Sequence, residues 1–272
     1  MVWQRGVVIK SDEEIEIMRE AGRINALALD AVRQMLRPGV ATAELDAVAE
    51  EVIRDHGAIP AFKGYPGAYP YPATLTVSIN EALVHGIPGK RELQPGDVVS
   101  IDCGTIYQGF VGDSAFTAGI GEISKKAEQL SQVTEQALYI GIQEMRPGNR
   151  VGDISAAIQE WVESHGYHVP RQYSGHGVGR QMHEAPQVPN YGRAGSGLVL
   201  QPGVTLAIEP MLLEGTDQTR VLSDKWTVVS KDGSLTAHFE HSVAVTENGP
   251  LILTTLVDNW SVLDGRSRIE YN

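Results

Sequence analysis

Two amphipathic stripes recur along the chain. Leu45, Val48, Ala49, Val52 and Ile53 fall three and four positions apart, and so do Ile154, Ala157, Ile158, Trp161 and Val162. Each set predicts a helix with one buried face. Arg-Pro-Gly precedes each stripe and His-Gly follows it, a stop signal for the helix before and a C-cap glycine after. The two stretches, 37–57 and 146–166, lie 109 residues apart. A second pair, QPGDVVSIDCG at 94–104 and QPGVTLAIEPM at 201–211, recurs at an offset of 107. Two matches in one order at nearly one offset predict an internal duplication.

A longer helix precedes each amphipathic one. Ser11 and Glu14 form the S-x-x-E pattern of a capping box, predicting a helix from there to about 35, and its counterpart runs from Ser124 to about 145. Strands are predicted at 74–79, 97–102 and 106–118, then at 204–209, 226–230 and 238–246, with alternation clearest in TLTVSI and HFEHSVAVT. Helices in pairs followed by strands in groups indicate an α+β fold rather than alternating βαβ units. The expectation is a single domain over 1–272, with a first half at about 11–120, a second at about 123–250, pseudo-twofold symmetry and a site at the seam. The tail after Val257 has no clear period and receives no element.

Composition narrows the function. A chain of 272 residues can bury a sizeable core unaided. No window approaches 18 uninterrupted apolar residues, and the start, MVWQRGVVIK, lacks a signal-peptide core. The expectation is therefore a cytoplasmic protein without a membrane partner. The sole cysteine, Cys103, excludes an internal disulfide and a thiolate metal cage. A net charge of -12 argues against nucleic acid as a partner.

The acids carry the chemistry. Asp102 and Asp113 close a strand–turn–strand stretch whose Gly104 and Gly109 permit turns or bulges. An acid in a strand ordinarily faces solvent, yet Asp102 lies among residues that prefer burial, and its repeat equivalent Glu209, in LAIEPM, has the same setting. Buried carboxylates must be paired, neutralised or metal-bound. SGHGVGRQMHEAP supplies His176 and His183, and HFEHSVAVT places Glu240 in mid-strand. A histidine beside glycines is ordinarily a surface residue; the glycines also suit a segment pressed close to something. Gly175, Gly177 and Gly179 do not complete a dinucleotide fingerprint, His183-Glu184 does not continue to HExxH, and neither a P-loop nor a nucleophile elbow is present. Two divalent cations would balance four carboxylates in charge. Oxygen donors with one imidazole suit cobalt, manganese, iron or zinc. Such a pair can hold a bridging hydroxide and polarise a carbonyl, which is metal-assisted hydrolysis.

VSINEALVHGIP, IDCGTIYQGFVGDSAF, YSGHGVGRQMHEAP, AIEPM and HFEHSVAV, in this order, resemble the type I methionine aminopeptidases over 9–246. The resemblance implies the α+β pita-bread fold with internal pseudo-symmetry. It also implies that Asp113 and Glu240 bridge two metals, that Asp102 holds one, and that His176 with Glu209 holds the other. By the same resemblance Glu209 is a candidate general base, and His85 and His183 are catalytic groups that contact substrate. Phe62, Tyr65, Tyr71, Thr76, Met182 and Trp226 are expected to line the methionine pocket. The implied reaction removes the initiator methionine from nascent polypeptides, favoured by a small second residue. A monomer with transient ribosome contact is the family expectation. The alternatives are a proline-directed pita-bread peptidase, against which the short stretch before the first helix argues, and a non-catalytic pita-bread protein that binds peptide ends or the ribosome. FKGYPGAYPYP at 62–72 has no settled register against the family.

Overall fold

The computed structural model describes residues 6–256; the tail after Val257 and the first five residues lie outside that range. Helix α1, Asp12–Met35, opens as the S-x-x-E pattern dictates: the Ser11 side chain accepts from the Glu14 amide, and the Glu14 carboxylate takes the Ser11 N–H. Its inner face of Met18, Ile24, Ala28 and Val32 is fully buried. Helix α2, Thr42–Asp55, lies beside it. Short β1 (Ile59–Pro60), β2 (Leu75–Ile79) and β3 (Ala82–Val84) lead to the long hairpin of β4 (Val98–Tyr107) and β5 (Phe110–Gly119). The second half repeats the plan with α3 (Lys125–Gln143), capped by Ser124, and α4 (Val151–Ser164). Strands β6 (Ser174–Gly177), β7 (Glu184–Pro189), β8 (Thr205–Ile208), β9 (Met211–Leu213), β10 (Thr219–Val221) and β11 (Val228–Ser230) follow. The order closes with β12 (Thr236–His238), β13 (Glu240–Thr246) and β14 (Gly249–Ile252).

The duplication extends to the backbone. Gly57 and Gly166 end α2 and α4 with φ of +70° and +78°, and Gly96 and Gly203 turn into β4 and β8 at +91° and +89°. The lone bridge Ala41↔Glu92 recurs as Arg150↔Val199, at the two sequence offsets of the repeat. Among the described residues the main sheet has nine antiparallel strands, ordered β1-β4-β5-β13-β8-β6-β7, with β2 also on β4 and β14 also on β13. One apolar core runs from α1 and α2 through the sheet to α3 and α4. This is the curled α+β sheet of the pita-bread fold.

Within the main sheet the halves join at β5 and β13 through two residue pairs, Glu240↔Ala115 and His241↔Ser114, and β3 pairs with β11 in a separate three-stranded sheet. Side-chain hydroxyls continue the junction past both ends of that ladder. Ser242 Oγ accepts from the Asp113 amide at 3.0 Å and donates to its carbonyl at 2.9 Å. At the other end Thr117 Oγ1 accepts from the His238 amide and donates to its carbonyl. The glycine-rich 174–177 stretch is strand β6 rather than a loop. It lies so close to β7 and β8 that a Cβ on Gly175 would sit 2.4 Å from the Ala207 carbonyl oxygen.

Candidate metal centre

Strand register brings the acids together. Asp102 pairs with Ala115, and Ala115 with Glu240, so one row across β4, β5 and β13 reads acid, small residue, acid. Two residues along, Gly104 pairs with Asp113, Ser242 clasps the Asp113 backbone, and Ala207 joins Ser242 to His176. Directly paired residues share a face, as do residues two apart on a strand. These four side chains therefore converge over a floor of glycine, alanine and serine. Glu209 follows β8 and reaches the same point from its end. His176 Nε2 stands 3.4 Å from Glu209 Oε1 and 3.8 Å from Asp113 Oδ2. His176 Nδ1 donates to the Gly177 carbonyl at 2.9 Å, which leaves the Nε2 lone pair aimed at the acids.

His238, which the sequence reading did not single out, belongs to the cluster. Its Nε2 is 3.8 Å from Glu209 Oε2 and 3.8 Å from Glu240 Oε2. The available signal was spacing, since two positions before Glu240 in HFE is the same side of an extended chain.

The electrostatics are those of a cation site. Burial and mutual repulsion push Asp102, Glu209 and Glu240 well above the usual carboxylate range, and burial raises Asp113 to about 7. Burial lowers His176 to about 3, with the nearby His183 adding to the effect. Asp102 Oδ1, Asp113 Oδ1, Glu240 Oε1 and His238 Nε2 are buried with no hydrogen-bond partner among the described residues. Orphaned buried polar atoms are costly, and divalent cations among four carboxylates would satisfy them. The residues fit the metals. Two overlapping groups, Asp113–His176–Glu240 and Glu209–His238–Glu240, each place three donor atoms within 4.8 Å of one another.

Beside the acids lies a cavity of about 130 Å³ lined by Phe62, Tyr65, Tyr71, Thr76, Met182 and Trp226, with His85 and His183 at its polar end. The structure thus gathers all thirteen residues singled out from sequence around one space. Tyr71 donates to the Leu75 or Gly86 carbonyl, each 2.9 Å from its hydroxyl, and meets the Trp226 ring edge-on at 5.1 Å. Tyr65 OH and His183 Nδ1 lie 2.6 Å apart, which engages one ring nitrogen and leaves Nε2 for a substrate. Burial lowers both His85, to about 4, and His183, so both are neutral at pH 7. The stretch at 62–72 folds back on itself: the Gly64 amide donates to the Tyr71 carbonyl and the Tyr71 amide to the Tyr65 carbonyl. Gly67 presses on Trp226, where a Cβ would lie 2.5 Å from the indole, and Tyr69 OH donates to the Asp224 carbonyl.

A twofold α+β scaffold that buries such a cation site beside an apolar slot is that of a metal-dependent hydrolase. Comparison with known proteins narrows it. Residues 16–247 match the profile of metallopeptidase family M24, and the chain belongs to that family. It is 51% identical over 249 residues to the methionine aminopeptidase of Clostridium acetobutylicum, covering 91% of this chain and 98% of that one. The crystal structure of methionine aminopeptidase from Thermotoga maritima superposes with a TM-score of 0.89 at 47% identity, over 91% of this chain and 99% of that one. The prolidase of Pyrococcus horikoshii OT3 shares the fold at a TM-score of 0.74 and 25% identity, over 91% of this chain and 63% of that one.

Proposed function

We propose that this protein is a methionine aminopeptidase that removes the initiator methionine from new polypeptides, most readily when the second residue is small. The observation that carries the reading is the cavity itself, an apolar aromatic slot that ends on buried acids and histidines. Kinship at about half identity over nearly whole chains supports the same reaction.

Asp102, Asp113 and Glu240 would hold one divalent cation, and Asp113, His176, Glu209 and Glu240 the other. When bound, cobalt, manganese, iron or zinc in these positions supplies Lewis-acid polarisation of the scissile carbonyl and a water acidified enough to attack near neutral pH. Glu209, whose basicity burial and the nearby Asp113 charge raise above that of an ordinary carboxylate, accepts the proton of the attacking water. His183, engaged through Nδ1 by Tyr65, offers Nε2 to the scissile amide, and His85 lines the same slot as a further contact for the peptide. The methionine side chain lies among Tyr71, Met182 and Trp226, where thioether and aromatic groups pack well.

The substrates are nascent N-termini, met as a cytoplasmic monomer in transient contact with the ribosome. Cys103, free and buried, suits that reducing compartment. The whole chain is read as one catalytic domain of two halves, because each half supplies donors to one site.

The test is direct. Metal-loaded enzyme is expected to release methionine from a Met-Ala-Ser peptide and to leave an X-Pro peptide intact, read by chromatography of the products. Cleavage of the X-Pro peptide alone would transfer the chain to the proline-directed relatives. No cleavage of either would make it a binding protein.

A further inference from the structure

Two cations held by Asp102, Asp113, His176, Glu209 and Glu240 leave His238 without a task. Its side chain is buried, 2% exposed, and its Nε2 has no hydrogen-bond partner among the described residues. The nearest acceptors, Glu209 Oε2 and Glu240 Oε2, are both 3.8 Å away. A charge-assisted N–H···O bond would need about 2.7–2.9 Å, so the ring is not placed as a hydrogen-bond donor to either acid. The spacing has another meaning. Imidazole and carboxylate donors that sit about 2.0–2.2 Å from one cation stand roughly 3–4 Å from each other. His176 shows that spacing, 3.8 Å from Asp113 and 3.4 Å from Glu209. Glu209 therefore lies between two imidazoles, Oε1 towards His176 and Oε2 towards His238.

We infer that His238 is a sixth metal ligand, its Nε2 binding a divalent cation jointly with Glu209 and Glu240. The inference rests on the metallopeptidase reading of the cluster and concerns which atoms hold the metal. A second nitrogen donor shifts the preference of the cluster away from manganese and towards iron, cobalt and zinc. Glu209 would also be anchored on the side away from His176.

Manganese(II) alone is the probe, and pulsed electron spin resonance of the loaded full-length chain reports imidazole nitrogen bound to it. The His176→Gln variant is expected to keep a coordinated imidazole nitrogen, because His238 remains, and adding His238→Gln should abolish it. His238→Gln alone should weaken binding of one cation by about 10-fold or more by titration calorimetry. Loss of the nitrogen signal with His176→Gln alone would overturn the inference. Its survival in the double variant would do the same, as would unchanged cation affinity in His238→Gln. If His238→Gln fails to fold by circular dichroism, the His176→Gln measurement still decides. Release of methionine by the wild-type enzyme is read separately, so failure of the aminopeptidase reading is distinguishable from failure of the ligand assignment.

Discussion

Asp113 and Glu240 come from different halves and stand on neighbouring strands, each with a buried oxygen that has no hydrogen-bond partner among the described residues. Removing either carboxylate takes a donor from both proposed cations at once. Asp113→Ala or Glu240→Ala should lower turnover by about 10³-fold or more, equivalent to roughly 4 kcal/mol of barrier, with cation binding weakened by calorimetry. His183 touches no proposed cation, so His183→Ala should slow turnover about 10²-fold while calorimetry still shows both cations bound. Near-normal turnover in the first pair, or lost cation sites in the second, would contradict these roles. The acids were legible in the sequence because each sits in an apolar run where a charge has no ordinary reason to be. His238 was not, because histidine is indifferent to such a setting and only the fold brings Glu209 alongside it.

At the scale of elements, the helices were read nearly to the residue, since capping and termination are local chemistry. Ser11 and Ser124 both accept from the amide three residues on. The predicted strand at 106–118 is interrupted by the turn at Gln108 and Gly109, both at positive φ, and its first residues belong to β4. The 62–72 stretch escaped a register because its shape is set by Trp226, far away in sequence. Trp226 is held between Gly67, Tyr69 and Tyr71, so this loop forms the back of the proposed methionine slot. A methyl group on Gly67 would meet indole carbons at 2.5 Å. Such overpacking costs about 1–3 kcal/mol when neighbours must move. Gly67→Ala is therefore expected to raise KM for a Met-Ala-Ser peptide by about 5-fold or more, within that range, with cation affinity unchanged. An unaltered KM would mean that Trp226 does not bound the slot. The N-terminal segment bears on the same site from another direction: buried Lys10 pairs with Glu184 at 2.6 Å, next to His183.

For the molecule as a whole, the acid cluster makes stability depend on its cations. Without metal, burial and mutual repulsion raise Asp102, Glu209 and Glu240 well above the ordinary carboxylate range, and burial raises Asp113 to about 7, so the folded protein keeps carboxyl protons to higher pH than the unfolded chain. The unfolded chain releases those protons near the ordinary aspartate and glutamate values of 3.8 and 4.5. Buried His85, His176, His238 and His241 act in the opposite sense, lowered to about 3 or 4 from 6.5. Below pH 6.5 the unfolded chain takes up protons on these histidines, which offsets the acids. Above it the histidine difference fades while the acids still differ, the folded state binds more protons, and stability falls as pH rises. The melting temperature of metal-free protein should therefore drop between pH 6.5 and 8.5. Saturating divalent cation should flatten that decline. A metal-free protein whose stability is level or rising across that window would refute the account.

The repeat was legible as two sequence offsets, and the structure returns it as matched bridges and matched glycines. The two-pair junction between β5 and β13 was invisible in the sequence, because pairing partners 125 or more positions apart leave no local pattern. That junction bears on descent. Two separate identical copies of a half-chain, paired about the same axis, would have shown every substitution twice. Such a pair could offer only a mirrored set of donors. Once the copies were joined in one chain, they could drift apart, aspartates in one and histidine with glutamates in the other. A lopsided site, with a base on one side only, is what covalent union of the halves made available to selection.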